Sequence, residues 1–402
     1  MQRKRVILHI GAPKTGSTYL QAFFSLHASS LRQAGVDYPC ALAESVVASG
    51  SAVGNVVTIL ARAGLLRLAS DPAGMPQLWA LWTPACTAEL VATVNRSACD
   101  TVLLSAEGMA LLPQEVLEEL YEQLATDCDP EFIMFVRDPY DCCYSAWRQR
   151  VKNGRFLGSF EEFAAQRVHG GPEPARTLGM FHASQVFFNT NVTYTLINYD
   201  GCREALADAF LQAAGIDAAV GHSHSPIAGK TYNRSLSLSE ALVLGSVNNV
   251  FAGSHFPAFF RRTLLARTNY RPGTAQYYNR EIDAMILDTY RMCIEKINAV
   301  VRGGPLRTRP RQTPTGQAGI DEQDVDALLQ ALHVVAEHRS RSIPLLQKLK
   351  HVVMVALLKN VPRDFDPDAY QFMHPDVAAA GVNPYLHYAR HGCRECRPYR
   401  YY

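Results

Sequence analysis

The chain lacks an excess of charge of either sign. Its 39 lysines and arginines stand against 37 aspartates and glutamates, a formal net charge of +2 over 402 residues. No global field steers such a chain to nucleic acid, so any anion site must be built locally. It also lacks a long uncharged apolar run, which argues against a membrane-spanning helix and an anchored enzyme. The basic start Met1-Gln2-Arg3-Lys4-Arg5 leads into a short apolar stretch that ends in glycine. That pattern predicts a strand rather than a signal peptide. The 10 cysteines form no disulfide framework in a chain of this length. Cys142 and Cys143 are adjacent in a helical pattern and read as packing residues. Cys393 and Cys396 make a C-x-x-C near His387 and His391, but no second pair stands at zinc-finger spacing, and no metal is expected. The expectation is a soluble cytoplasmic protein. Its 48% hydrophobic content is enough for a large core and more than one folding unit.

What is present begins at Gly11-Ala12-Pro13-Lys14-Thr15-Gly16-Ser17-Thr18. The apolar run Val6-Ile7-Leu8-His9-Ile10 precedes it as a buried strand. A helical pattern follows, with Tyr19, Leu20, Phe23, Phe24 and Leu31 on one side. Strand, glycine loop and helix aim backbone N–H groups and a positive helix end at an anion. Gly11 and Gly16 keep the spacing of a Walker A loop, yet Ser17 stands where the lysine belongs and the lysine has moved to position 14. A Walker lysine starts the helix and reaches the β/γ-phosphates. A mid-loop lysine instead sits beside a single 5′-phosphate and meets charge developing on a leaving oxygen. The plainer alternative is a tight strand-to-helix turn with an exposed lysine.

A second stretch runs from Phe132 to Arg148. Phe132-Ile133-Met134-Phe135-Val136 predicts a strand covered on both faces, with Arg137 at its carboxyl end. Asp138 then reads as a helix N-cap, Pro139 as the first helical residue, and Ser145 lies two turns on. An arginine there can fork onto a phosphate, and the serine can add a hydrogen bond. The alternatives are an ion pair of Arg137 with Asp138 or Asp141, and an ordinary helix serine.

Taken together, the loop resembles the 5′-phosphosulfate loop of sulfotransferases that use 3′-phosphoadenosine-5′-phosphosulfate (PAPS). Arg137 and Ser145 match the two ligand positions of that family's 3′-phosphate motif. The resemblance spans roughly residues 5–301 and implies a bacterial carbohydrate-type enzyme. It implies PAPS as donor, adenosine 3′,5′-bisphosphate as product, a glycan or glycolipid acceptor, no metal and no nucleic-acid partner. By that resemblance Lys14 meets charge on the departing phosphate, and Thr15, Gly16, Ser17 and Thr18 hold it. Asn233 and Ser235, in Tyr232-Asn233-Arg234-Ser235-Leu236-Ser237, resemble a late nucleotide-proximal segment; the plainer reading is a helix cap by Ser237 or Ser239 with Glu240. Glu107, after the strand 101–105, is the expected base. His9, His182 and His255 are the alternatives, as in the cytosolic branch of the family.

Strands at 6–10, 101–105, 132–136 and 192–198 alternate with helical patterns such as 114–124 and 203–214. This predicts an α/β, P-loop-like three-layer domain with a parallel central sheet flanked by helices, over residues 1–302. Residues 41–98 are apolar and irregular, and are expected as a substrate-facing insertion. Arg148, Arg150, Lys152 and Arg155 form a basic run, either a guide for an acidic ligand or a solvated helix face. Residues 303–319, rich in proline, glycine and threonine, predict a linker to an all-α extension over 320–402. Within that extension, 343–361 is apolar with Lys348, Lys350 and Lys359 near it. That fits peripheral membrane contact or, preferred here, a packed helix. The stretch from Phe365 to Pro398 resembles a short helical module appended to bacterial glycan-modifying proteins, with cysteine at 393 and 396 in place of its usual aromatic and glycine residues. Two rival functions stand beside the sulfotransferase. One is a P-loop kinase-like phosphotransferase, which would want the missing Walker lysine. The other is a non-catalytic nucleotide- or glycan-binding protein.

Overall fold

The computed structural model describes residues 3–43, 47, 54–66, 81–169, 178–217, 220, 236–250, 260–261, 264–265, 278–312, 351, 353–358, 360–395 and 397–399. The chain divides into two units. The first comprises Met1–Ala146, Phe160–Asn233 and Asn279–Gln312; the second comprises Trp147–Ser159, Arg234–Tyr278 and Thr313–Tyr402.

The first unit is the expected α/β domain. Strands β1 (Lys4–Ile10), β2 (Val36–Asp37), β3 (Thr101–Ala106), β4 (Cys128–Val136) and β5 (Tyr194–Asn198) form one sheet in the order β2-β3-β1-β4-β5. Every neighbouring pair is parallel. β4 begins four residues before the expected start and β5 two residues after it. β1 lies at the centre, with Val6 opposite Val102 on one side and Leu8 opposite Phe132 on the other. A strand paired on both edges and covered on both faces must be apolar throughout, and β1 is buried from Val6 to Ile10.

His9 is the polar exception in β1. It shares a 2.8 Å hydrogen bond with Ser105 of β3, and its ring meets Phe24, Phe135 and Phe210 edge-on. Burial pushes its pKa down to about 3, so it is a neutral core histidine.

The helical pattern after the glycine loop is broken at His27 into two helices, Ser17–Leu26 and Ala28–Gln33. Leu20, Phe23, Phe24 and Leu31 all enter the core beside Ile7 and Phe210, while Tyr19 packs at its edge. The described part of 41–98 includes helices Asn55–Arg62 and Pro84–Arg96. Asn55 binds the first of these to the sheet: its Nδ2 donates to the Leu103 carbonyl at 2.8 Å and its Oδ1 accepts from the Ser105 amide at 2.7 Å. That segment is therefore partly a layer of the fold.

Residues 303–312 differ from the expected linker, because they are bound into the first unit. Arg302 bridges Ile197 of β5, and Asn198 Nδ2 donates to the Gly304 carbonyl at 3.0 Å. Leu306 is buried. Arg307 pairs with Asp138 at 2.9 Å and with fully buried Asp283 at 2.7 Å. The proline- and glycine-rich composition concealed two arginines, Arg307 and Arg311, with carboxylate partners far away in sequence. The rest of the expected linker, 313–319, lies outside the described residues.

The second unit likewise departs from a purely C-terminal extension, since it includes Trp147–Ser159 and Arg234–Tyr278. Helix Leu238–Val250 opens with a capping box: the Glu240 amide donates to Ser237 Oγ at 3.1 Å and the Ser237 amide to Glu240 Oε2 at 2.9 Å. Asn248 donates to the Val151 carbonyl and Arg148 to the Leu236 carbonyl. Arg148 and Arg150 are half-buried and Lys152 is buried, while Arg155 is exposed, so of the basic run only Arg155 is solvated in the way considered from sequence. Toward the C-terminus, helices Pro367–Met373, Pro375–Ala379 and Pro384–His387 lead into a π-turn at Tyr388–Gly392. Phe365 packs on the rings of Tyr370, Tyr385 and Tyr388. Val353, Met354 and Leu357, in a helical stretch, and Val361 beyond it are buried; residues 343–350, 352 and 359 of the expected segment, with Lys348, Lys350 and Lys359, lie outside the described residues. Among the described residues, no helix is long and apolar enough to cross a membrane.

Candidate anion-binding and transfer site

Three adjacent strands end at one place. β1 runs into the glycine loop, β3 into Glu107 and β4 into Arg137. The chain passes from β2 and β3 on one side of β1 to β4 and β5 on the other, so the crevice lies at a topological switch point, where open α/β sheets bind ligands.

The loop is tightly folded. Lys14 has φ 70° and Gly16 φ 80°, both left-handed, and the helix starts at Ser17. Gly16 must be glycine for a second reason: a Cβ there would stand 2.3 Å from Leu206 Cδ2. At Gly11 a Cβ would lie 2.7 Å from Ser17 Oγ and 2.8 Å from Glu107 Cα. At both glycines a side chain would collide with packed neighbours, so the loop backbone runs close against them. Lys14 has no such excuse. A non-glycine residue in that conformation costs on the order of 1–2 kcal/mol. Strain of this kind points to a function for the residue that bears it.

Thr15 and Ser17 are buried, and their hydroxyls donate to the Ala12 carbonyl at 2.7 and 3.2 Å. In this arrangement both brace the loop from within, while Thr18 is half-buried.

Arg137 reaches the loop from β4. Its Nη1 donates to the Lys14 carbonyl at 3.1 Å and its Nε to Asp200 Oδ1 at 3.3 Å. The guanidinium lies 5.1 Å from the centre of the Tyr199 ring. The ion-pair partner is therefore Asp200, past the end of β5, and not Asp138 or Asp141. Asp138 caps the next helix, accepting from the Asp141 amide at 3.1 Å. Its carboxylate also takes Arg307 and Arg311, and Asp141 takes Arg311 at 2.7 Å. Burial pushes the Asp141 carboxyl above its usual range, with its hydrogen bond to Arg311 opposing. The helix Pro139–Lys152 meets the loop through Cys142, whose thiol donates to the Pro13 carbonyl at 3.7 Å. Burial raises that thiol to about 11, so it is no nucleophile. Ser145, one turn beyond Asp141, is buried.

Glu107 opens a short 3-10 turn, with its Cα against Gly11. Its side chain is open to solvent, yet the surrounding protein pushes its carboxyl upward and the Lys14 charge opposes that push. Solvent contact moderates the shift, but its direction favours proton uptake from a neighbour.

The other candidates separate from this cluster. His182 Nε2 is bonded to the Leu112 carbonyl at 2.9 Å. Asn233, Ser235, His255 and Cys396 lie outside the described residues. Cys393 Sγ donates to the Ala389 carbonyl. Among the described residues, no group of three or more His, Cys, Asp or Glu is placed to hold a metal ion. Sequence reasoning missed Tyr199 and Asp200. They carry the same sequence signal as Glu107, polar residues directly after a strand.

No protein-family model matches the chain, and no curated protein does. Among solved structures, a crystal structure of retinol dehydratase in complex with androsterone and inactive cofactor PAP is similar over 72% of this chain and 80% of that one. The identity is 14% and the TM-score 0.31, too distant a likeness to assign a family.

Proposed function

We propose that this chain is a sulfotransferase that moves a sulfuryl group from PAPS to a hydroxyl of a carbohydrate or glycolipid acceptor. The observation that carries this reading is the joining of two phosphate motifs: Arg137, at the end of β4, is hydrogen-bonded to the backbone of Lys14 in the loop after β1. A donor with phosphates at both its 5′ and 3′ positions needs such a pair of neighbouring cationic groups, whereas a nucleoside triphosphate needs its cations along one phosphate chain.

The residues fit the donor. The loop amides ahead of the helix that starts at Ser17 would face the 5′-phosphate. Arg137 has its Nε and Nη1 engaged, which leaves Nη2 for a phosphate oxygen. Ser145 would add a hydroxyl. PAPS supplies an activated sulfuryl group on its 5′-phosphate. Lys14 would neutralise charge growing on the phosphate oxygen as the sulfuryl group departs. Glu107 would take the proton of the acceptor hydroxyl, and its raised pKa makes it the stronger base. Little covalent work is asked of the protein; positioning and charge stabilisation carry the rate.

A kinase-like phosphotransferase is disfavoured by the same geometry. Position 17 is serine, and Asp138 and Asp141, the carboxylates at the end of β4, are already paired with Arg307 and Arg311. The test is an assay with sulfur-labelled PAPS and a panel of glycan and glycolipid acceptors. Label transfer coupled to release of adenosine 3′,5′-bisphosphate supports the proposal. Phosphate transfer from ATP–magnesium with no sulfuryl transfer would favour the kinase.

A further inference from the structure

Asp200 is the acidic group nearest to Arg137, and it holds two donors at once. Its Oδ1 accepts from Arg137 Nε at 3.3 Å, and its Oδ2 accepts from the Asp138 amide at 2.9 Å. One carboxylate therefore clamps both the side chain at the end of β4 and the first amide of the following turn. Its own position is fixed: the Asp200 amide donates to Asn198 Oδ1 at 3.1 Å, and Asn198 is tied through Nδ2 to the Gly304 carbonyl. The neighbouring Tyr199 lies against the guanidinium on one side. It also lies 3.2 Å from where a Cβ on Gly16 would stand. The turn after β5 thus touches both the loop and the arginine.

Resting on the sulfotransferase reading above, we infer that Asp200 is a positioning residue. It fixes the rotation of the Arg137 guanidinium so that the Nη end, and not the Nε edge, faces the 3′-phosphate of the nucleotide. With Nε held by Asp200 and Nη1 by the Lys14 carbonyl, the guanidinium has one orientation. An arginine already oriented loses less freedom on binding than a mobile one. A carboxylate this close to a bound phosphate would also repel it, so positioning and repulsion predict opposite outcomes when the charge is removed.

The experiment is a calorimetric titration of the full chain with adenosine 3′,5′-bisphosphate and with adenosine 5′-monophosphate, before and after Asp200→Asn. The amide keeps the shape but can accept from only one of the two donors. Positioning predicts about tenfold weaker bisphosphate binding, with monophosphate binding unchanged. It also predicts that Asp200→Asn adds nothing in an Arg137→Ala background. If Asp200→Asn lowers the melting temperature by more than a few degrees, Asp200→Glu carries the test instead, with an intermediate loss expected. Unchanged or tighter bisphosphate binding, or an equal loss for both nucleotides, overturns the assignment. Equal wild-type affinity for the two nucleotides would instead overturn the sulfotransferase reading itself.

Discussion

Arg137 and Lys14, 123 residues apart in sequence, are joined by a 3.1 Å hydrogen bond from the arginine Nη1 to the lysine carbonyl. The bond ties the end of β4 to the loop after β1, and it is made through the Lys14 backbone carbonyl rather than through its side chain. Backbone geometry and side-chain charge at position 14 therefore have separable consequences.

Lys14→Ala is expected to abolish turnover while keeping much of the nucleotide affinity. A group that acts on the leaving oxygen contributes more in the transition state than in the ground state. Lys14→Gly should also be inactive, yet melt at or above the wild type, because glycine adopts φ 70° without strain. Steady-state kinetics and thermal melting on both variants check this. Near-normal turnover in either contradicts the role of the lysine.

Glu107 should set the acid limb of kcat/KM. A base works deprotonated, so activity falls as pH drops through its pKa. The protein crowded around it pushes that pKa upward, against the opposing Lys14 charge, so the limb should lie above the ordinary glutamate value. Glu107→Gln should lower kcat about 10²–10⁴-fold and remove the limb. A limb that survives the substitution assigns it to another group.

His9 should make the first unit acid-sensitive. Its folded pKa is about 3, against an ordinary value of 6.5. Between those values the unfolded chain binds a proton that the folded chain does not, so stability falls as pH falls through that window. The slope is about 1.4 kcal/mol per pH unit. Melting curves of wild type and His9→Gln between pH 5 and 7.5 should differ in slope by about one proton. Parallel curves would contradict the buried neutral state.

Arg307→Ala should destabilise the first unit by about 3–5 kcal/mol, because it leaves Asp283 buried and charged. Asp283→Asn in the same chain should recover part of the loss. Chemical denaturation of the three proteins measures it. A negligible effect of Arg307→Ala would mean that residues 303–312 behave as a linker after all.

The parts legible in the sequence were those governed by local rules. Val6–Ile10 and Phe132–Val136 are continuous apolar runs, and a buried parallel strand has no other way to read. Asp138-Pro139 announces a helix start by cap and ring geometry, and the Asp138 carboxylate does accept from the Asp141 amide. Ser237 and Glu240 give a capping box by their spacing alone. Illegible parts depended on distant partners. Nothing near Arg307 in sequence says that Asp138 and Asp283 await it, so its surroundings read as a linker. His9 looked like a candidate base because its aromatic enclosure by Phe24, Phe135 and Phe210 comes from three separate elements. Thr15 and Ser17 looked like open phosphate donors, but their hydroxyls turn back to Ala12.

The central claim is that the crevice selects a nucleotide phosphorylated at both 5′ and 3′ positions. Calorimetric titration of wild type and Arg137→Ala with adenosine 3′,5′-bisphosphate, adenosine 5′-monophosphate and ATP–magnesium tests it most directly. A charge-assisted arginine–phosphate contact contributes on the order of 1.5–3 kcal/mol, so the bisphosphate should bind at least about tenfold tighter than the monophosphate. Arg137→Ala should erase most of that difference and leave the monophosphate nearly unaffected. Equal wild-type affinities for the two adenosine phosphates, or ATP–magnesium binding far more tightly than either, would contradict the account.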